Sequence, residues 1–450
     1  MQVQPSYRRD ARSLLVLGLP LIGSHLAQIA IHLTDSVMLG WYGVEELAAQ
    51  VLAETFFFVF FIMGSGFAFA VMPMVATAVA EDDERQVRRI TRMGVWASLG
   101  FAALVLPFMI WSEGLFRLLD QDAKTSVLAG DYLAIVGVAI VPALMVMVLK
   151  SYLAALERTQ VVLWLTLSGV ALNALVNYAL IFGNLGMPEM GVRGAAIASL
   201  GVTTATLAAL CIYVAIATPE HSLFVRVWRP DWEALRDVFR LGWPIGVTNL
   251  AETGLFAASS VMMGWLGTVP LAAHGIALQL TSVAFMVHLG LSNAATVRAG
   301  QAYGRRDKGA LRSGAIVAVG LSAVFALVTV AVFLTLPDVL ISGFLGPGDP
   351  DRAAVLAIGT GLLAAAALFQ LADAGQVMAL GLLRAVRDTR APMVIAGISY
   401  WAIGIPASYL LGFPLGLGGV GVWIGLAIGL AAASALLGMR FWRWTGRWLI

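Results

Sequence analysis

Charged residues are scarce in this chain of 450 amino acids. Asp, Glu, Lys and Arg make up 12% of the sequence, about half the charged fraction that is usual in soluble globular proteins. Hydrophobic residues make up 60%, and the mean hydropathy is +0.87. This composition excludes a water-soluble protein and predicts a polytopic membrane protein.

Other absences reduce the number of possible functions. The single cysteine, Cys211, excludes an intrachain disulfide and a multi-cysteine metal site. The sequence has no phosphate-binding glycine loop, which argues against an ATP-driven pump, and no stretch that resembles a potassium-channel filter. The first apolar stretch is too long for the h-region of a signal peptide, so we expect no cleavable leader.

Long apolar runs recur from end to end of the chain, and a helix needs about 20 such residues to cross a bilayer. Lipid offers no partners to backbone N–H and C=O groups, so we predict an all-α fold. The runs are too long for the alternating strands of an outer-membrane barrel. The twelve predicted transmembrane spans are 13–40, 47–76, 93–112, 126–149, 161–183, 191–217, 241–266, 271–297, 314–336, 352–383, 392–412 and 417–439.

Basic residues give the expected orientation of these spans. If the N-terminus is cytoplasmic, every Lys and Arg lies in a cytoplasmic segment except Arg117, Lys124, Arg193 and Arg352. Cytoplasmic loops of membrane proteins carry an excess of Lys and Arg. We therefore expect both termini in the cytoplasm.

The sequence repeats itself with an offset of 224 residues. LGLPLIGSHLAQIAIHLTDSVMLGWYGVEELAA, from Leu17, matches LGWPIGVTNLAETGLFAASSVMMGWLGTVPLAA, from Leu241, at 14 of 33 positions. The register persists to Asp83 in the first copy and Asp307 in the second. Because this length of agreement needs no gap, we interpret the chain as two halves built on one plan.

Later segments extend the repeat. LAALERTQ from Leu153 resembles LRAVRDTR from Leu383, and GVRGAAIA resembles GGVGVWIG near the end of the chain. Each half then has six helices, and an even number gives both halves one orientation, related by a pseudo-two-fold axis along the membrane normal. The predicted domains are an N-terminal lobe at 1–218, a cytoplasmic linker at 219–240 and a C-terminal lobe at 241–450.

The linker has the pattern of a short interfacial helix. Asp231 is placed to cap its N-terminus, and Trp232, Leu235 and Phe239 share one face. We expect a tether that packs along the inner leaflet; a regulatory segment is the alternative.

Four carboxylates lie well inside the predicted spans, namely Asp35, Glu54, Glu252 and Asp373. A charge at the bilayer centre costs about 2.5–3.5 kcal/mol, so such groups face a cavity or a partner and suggest function. At about 1.5 Å per residue, Glu252 and Asp373 lie near the midplane, where they form a candidate cation or proton site. The acids are not duplicated in the repeat, since Gln28 aligns with Glu252. We therefore expect the two lobes to have different roles.

Polar neighbours accompany these acids. Glu252 has Asn249 nearby, and Asp373 has Gln370 and Gln376 one turn away on either side. Asn173 and Asn177 are spaced i, i+4 in span five, where we expect them to line a cavity of the first half. The purely structural alternative is that each acid only forms a buried hydrogen bond across helices.

Two further groups remain open. His25 and His32 share a helix face with Asp35, but the sequence offers no third ligand at ligand spacing, so ordinary packing is favoured over a metal site. Glu54 lies near the outer edge of its span with Gln50 one turn away, and its role stays undecided.

Four motifs resemble those of multidrug and toxic compound extrusion (MATE) transporters, in order and over nearly the whole chain. They are TDSVMLGWYGVEELAA, ASSVMMGWLGTVPLAAHGIALQ, FQLADAGQVMALGLLRAVRDTRAP and GVRGAAIA. The acids in NLAETG and FQLADAGQV resemble the NorM-type branch.

This resemblance implies a two-lobed, V-shaped antiporter of twelve helices, the MATE fold. It implies that Asp35 acts in coupling and that Glu252 and Asp373 form a site for Na⁺ or H⁺. We also expect Gln28 and Gln279 to be supporting polar groups. Cationic amphipathic drugs and toxins are then the exported partners.

The chain departs from the family at two positions. Phe369 stands where NorM-type members often have Tyr, which removes an oxygen near the span-ten acid. Asn177 has no neighbouring Asp of the kind found in the DinF branch, so a relay of two acids in the first lobe is not expected.

We therefore expect a monomeric secondary active antiporter of a bacterial-type inner membrane, with no resident cofactor, no nucleic-acid partner and no enzymatic activity. The sequence leaves Na⁺ and H⁺ open as the coupling ion. A flippase for a lipid-linked intermediate, a polytopic membrane enzyme and a passive channel are the alternatives.

Overall fold

The computed structural model describes residues 7–118, 123–346 and 350–447, and this part of the chain is helical without strands. The helices are α1 (Tyr7–Tyr42), α2 (Val44–Ala80), α3 (Glu84–Ile110), α4 (Ser112–Leu118), α5 (Ala123–Val136), α6 (Ile140–Ala155), α7 (Thr159–Phe182), α8 (Gly191–Ala217), α9 (Trp232–Leu266), α10 (Thr268–Gly304), α11 (Lys308–Thr335), α12 (Pro337–Ser342), α13 (Arg352–Ala385), α14 (Arg390–Gly397), α15 (Ile405–Gly412) and α16 (Gly418–Arg447).

The predicted all-α membrane architecture is confirmed. Eleven helical segments in the described residues are long and apolar enough to cross a membrane. Two of them combine shorter helices: α5 and α6 join through a 3₁₀ turn, and α14 and α15 join through a π-helical segment. The predicted seventh span lies in α9, a helix of 35 residues that contains Glu252 and is not among those eleven.

The segment before span seven differs from its prediction. In place of a short interfacial helix, α9 runs without a break from Trp232 to Leu266, with Pro244 inside it. The predicted cap is present, since Asp231 Oδ1 accepts a hydrogen bond from the backbone N–H of Ala234 at 3.1 Å. Trp232, Leu235 and Phe239 therefore lie in the first turns of one long helix, and the linker bounds of 219–240 stay a prediction.

Ionic and polar contacts fasten this segment to the start of α3. Arg89 forms an ion pair with Asp231 and a second with Glu233. Arg92 donates to the carbonyl oxygens of Ser222 and Leu223 at 2.6 and 2.7 Å. The Arg89 guanidinium lowers the pKa of Asp231 below its usual value, because it stabilises the ionised carboxylate.

The chain packs as two compact units. One is Gly23–Gly246, and the other combines Met1–Ile22 with Val247–Ile450. Inside the first unit, large side chains such as Tyr132, Phe116 and Met109 are almost fully buried in a common core. The lobe boundaries inferred from the repeat stay a prediction. The repeat assigns the start of α1 to the first lobe and the start of α9 to the linker, whereas these two compact units divide the chain at residues 22 and 246.

The sequence repeat recurs as local structure. Asp82 and Arg306 both adopt the left-handed conformation, with φ of 55° each, and the next residue caps the following helix in both copies. Asp83 Oδ1 accepts from the N–H of Gln86 at 2.8 Å, and Asp307 Oδ1 accepts from that of Ala310 at 2.9 Å. The same chain reversal is thus encoded twice.

Candidate functional site

Asp35 lies in α1 with only 2% of its surface exposed, and it is surrounded by donors. Its Oδ1 accepts from the Nδ2 of Asn173 at 2.9 Å and from the Nδ2 of Asn177 at 2.5 Å. Ser199 Oγ donates to Oδ2 at 3.2 Å. Three side chains from two other helices therefore stabilise a carboxylate that the sequence alone leaves isolated in apolar surroundings.

The helical spacing explains this geometry. Asn173 and Asn177 are one turn apart on α7, so both amides point to the same side, and Asn177 Nδ2 also reaches Asn173 Oδ1 at 3.3 Å. Both residues are completely buried. Within the described part of the chain, Asn177 Oδ1 has no hydrogen-bond partner, so an acceptor oxygen beside Asp35 remains unused.

Glu54 joins Asp35, although the sequence left its role undecided. Its Oε1 accepts from Gln50 Nε2 at 2.9 Å and from the Tyr132 hydroxyl at 3.0 Å. One ligand atom each of His32, Asp35 and Glu54 lies within 4.8 Å of the other two. The structure therefore adds from α2 a third candidate ligand that the spacing of residues in the sequence does not reveal, and ordinary packing stays the expectation for His25.

A second carboxylate pair lies in the other unit, between α9 and α13. Gln376 bridges it, since its Nε2 donates to Glu252 Oε1 at 2.6 Å and to Asp373 Oδ1 at 3.5 Å. The Tyr400 hydroxyl donates to Gln376 Oε1 and holds the amide in this orientation. The structure thus brings together the two acids that the sequence proposed as a pair, and it adds Tyr400, for which the sequence gave no signal.

This pair is incompletely satisfied by the protein. Asp373 is 1% exposed, and its Oδ2 has no hydrogen-bond partner among the described residues. Gln370, completely buried one turn away, has neither its amide oxygen nor its amide nitrogen paired in the same part of the chain. Buried polar atoms without partners cost about 1–3 kcal/mol each, which favours a site that takes up a ligand.

Asn249, which lies near Glu252 in the sequence, bonds a basic residue of α13. Its Oδ1 accepts from Arg384 at 3.1 Å, and Arg384 is only 9% exposed near the end of α13. The nearby guanidinium contributes positive charge to the surroundings of Glu252. The sequence reading assigned Arg384 to a cytoplasmic segment and so missed its contact with α9.

Phe369 packs against other rings. Its ring centroid lies 5.9 Å from that of Phe256 and 5.4 Å from that of Trp423, and the side chain is 2% exposed. The oxygen that Tyr would supply at this position is absent, and Tyr400 provides a hydroxyl to the same network from another helix.

The remaining predicted polar residues lie apart from these clusters. Gln28 is partly buried on α1, seven residues before Asp35, and takes no part in the described hydrogen bonds of the Asp35 cluster. Gln279 is exposed on α10. Their supporting roles stay predictions.

Comparison with protein families gives a match over most of the chain. The MatE family model matches residues 20–179 and 244–410. A probable multidrug resistance protein NorM from Agrobacterium fabrum is 46% identical over 432 residues, covering 96% of this chain and 93% of the relative. The protein of that name from Rhizobium meliloti is 46% identical over 98% of this chain and 95% of its own length.

Solved structures share the fold. A structure described as MATE in complex with MaL6 superposes with a TM-score of 0.89 at 18% identity, covering 98% of this chain and 97% of that one. The eukaryotic MATE transporter AtDTX14 superposes with a TM-score of 0.85 at 19% identity, over 98% of each chain.

Proposed function

This chain belongs to the MATE family, in its NorM-type branch, and we propose that it exports cationic amphipathic compounds in exchange for Na⁺ or H⁺. It is a multi-pass membrane protein, and the multidrug resistance names of its relatives support drugs and toxins as its substrates. We place it in a bacterial-type inner membrane with both termini in the cytoplasm, as the distribution of Lys and Arg suggests.

The observation that carries the proposal is the buried pair of Glu252 and Asp373, joined through Gln376. Two buried carboxylates repel each other, and the single guanidinium of Arg384 near Glu252 supplies one positive charge against their two negative charges. Na⁺ or H⁺ neutralises the remaining negative charge in one state of the transport cycle. Because the unpaired Oδ2 of Asp373 gains a partner when either ion binds, ion binding changes the free energy of the state that holds it.

Asp35 is the coupling group of the first unit in this proposal. Its three donors stabilise the ionised form, so the carboxylate can release a proton or another cation without being left unsolvated. Alternating access then requires that ion and drug favour opposite-facing states, so that export of one accompanies entry of the other.

Flux measurements in proteoliposomes test this function. We expect drug export against its gradient when an inward Na⁺ or H⁺ gradient is imposed, and loss of that export when the gradient is collapsed. Glu252→Gln and Asp373→Asn should each abolish export, whereas Asp237→Asn, an exposed carboxylate on α9, should leave it unchanged. Drug movement that ignores both gradients would indicate a passive channel, and unchanged export by both acid variants would remove the site assignment.

A further inference from the structure

We propose that His32, Asp35 and Glu54 form a binding site for a divalent transition-metal ion, with Zn²⁺ as the representative. One ligand atom from each lies within 4.8 Å of the other two. In a tetrahedral zinc site with bonds of about 2.1 Å, neighbouring ligand atoms are about 3.4 Å apart. His32 is exposed, so a change of its side-chain rotamer can bring the ring nitrogen closer to the two carboxylates.

Both carboxylates can accept a metal without losing their present contacts. Both hydrogen bonds of Glu54 in the described part of the chain end on Oε1, which leaves Oε2 for the ion. A carboxylate offers about four lone-pair positions, and Asp35 uses three of them for Asn173, Asn177 and Ser199.

An unused acceptor beside the cluster also points to a cation. Asn177 is completely buried, and its Oδ1 has no partner in the described residues, while its Nδ2 lies 2.5 Å from Asp35. Gln50, also completely buried, has an equally unpaired Oε1 on the amide that holds Glu54. Carboxylates and carbonyl oxygens without a hydrogen-bond donor all carry negative charge or partial negative charge. A positive ion would therefore be stabilised among them.

The imidazole ring of His32 favours one class of metal ion over the others. Na⁺, Mg²⁺ and Ca²⁺ prefer oxygen ligands, whereas imidazole suits Zn²⁺, Cu²⁺ and Ni²⁺. One nitrogen and two carboxylate oxygens make a three-ligand set with a position open to water. This set distinguishes the proposed site from the Glu252 and Asp373 pair, whose described contacts include no histidine.

Direct binding to the purified full-length protein tests the proposal. The protein, in detergent and with any affinity tag removed, is titrated calorimetrically with ZnCl₂. We expect one equivalent to bind, and His32→Ala and Glu54→Gln to weaken binding at least about tenfold each. His25→Gln is the matched control, because this histidine lies seven residues earlier on α1 and outside the three-residue group.

A spectroscopic readout reports the coordination itself. Co²⁺ substituted for Zn²⁺ should give the intense visible absorption of a four-coordinate site in the wild-type protein and lose it in His32→Ala. Absence of zinc binding, or equal affinity in the wild type and both ligand variants, would overturn the proposal. If one variant aggregates on size-exclusion chromatography, the other variant and the cobalt spectrum of the wild type decide the question.

Zinc binding and transport fail independently in these experiments. If Asp35 acts in coupling as proposed above, bound Zn²⁺ also inhibits export by occupying it. A protein that binds zinc at His32 but exports nothing would support the metal site and contradict the transport function.

Discussion

At the scale of single residues, the acids differ in how fully the protein satisfies them. Hydrogen bonds to charged groups contribute about 1.5–3 kcal/mol each, so the three donors of Asp35 are enough to offset the cost of about 2.5–3.5 kcal/mol for a charge within the membrane. Asp373 has an unpaired oxygen in the described structure. Its ionised form therefore depends more strongly on a mobile cation.

Asp35→Asn tests the coupling role of the first acid. We expect the variant to bind drug with nearly wild-type affinity but to lose ion-driven export, because Asn cannot change its charge when an ion arrives. Equilibrium drug binding to purified protein and gradient-driven flux in proteoliposomes measure the two properties separately. Ion-driven export at the wild-type rate would contradict the role of Asp35.

At the scale of helices, two of them approach so closely that only glycine fits between them. A Cβ added at Gly246 on α9 would lie 2.2 Å from the backbone oxygen of Met63 on α2. Gly66 on α2 faces the same contact, where an added Cβ would lie 2.4 Å from the backbone nitrogen of Gly246. Backbone atoms cannot move aside as a flexible side chain does, so the contact requires glycine, which has no side chain, at both positions.

Gly246→Ala should therefore destabilise the protein by about 1–3 kcal/mol through overpacking. Thermal unfolding of the purified protein in detergent measures the change as a lower melting temperature. Gly100→Ala on α3 is the control, since an added Cβ there meets no atom within 4 Å. A melting temperature unchanged by Gly246→Ala would mean that α2 and α9 do not approach as described.

The ion pair between α3 and the start of α9 gives a pH dependence of stability. The folded-state pKa of Asp231 lies below its unfolded value, so the pair stabilises the protein above the unfolded pKa of about 3.9. This contribution is lost as the pH falls through the folded pKa, because the carboxylate is then protonated in both states.

Asp231→Asn keeps a capping side chain but removes the charge. We expect the wild type to melt at a higher temperature than this variant at pH 6, and the difference to shrink by pH 3. The pair is partly exposed, so the difference stays below about 1 kcal/mol. A difference that grows on acidification would contradict the described pair.

At the scale of the whole molecule, the spans were predictable, but apart from the pairing of Glu252 with Asp373 most contacts between them were not. A helix in lipid must satisfy its backbone internally, so length and hydropathy suffice to find segments such as α2 or α11. Asp35 meets Asn173 across 138 residues, and that meeting depends on how each helix is rotated about its axis. A single sequence shows which side of each helix is polar, but it does not show which other helix that side contacts.

Two features of the structure show the same limit. The amphipathic pattern at Trp232, Leu235 and Phe239 predicts a short interfacial helix, and it does not show that this helix continues into span seven as part of α9. The sequence leaves the role of Glu54 undecided, because the acid that it approaches, Asp35, lies on a different helix.

Membrane orientation is a further prediction for the whole molecule. In a Cys211→Ala background, a cysteine introduced at Asp82 should lie inside the cell and one at Glu189 outside, since Lys and Arg favour the cytoplasmic side. A membrane-impermeant maleimide added to intact cells should label Glu189→Cys and not Asp82→Cys, and permeabilisation should expose both. The reverse labelling would invert the proposed direction of transport.

The central claim is that the buried acids hold a mobile cation which drug binding displaces. Its most direct test is to add a cationic drug to purified protein and measure the release of Na⁺ or H⁺ into weakly buffered solution. We predict release of an ion by the wild type, and fewer ions released per bound drug by the Glu252→Gln, Asp373→Asn double variant, which retains only Asp35. Drug binding to the wild type with release of neither ion would contradict the account.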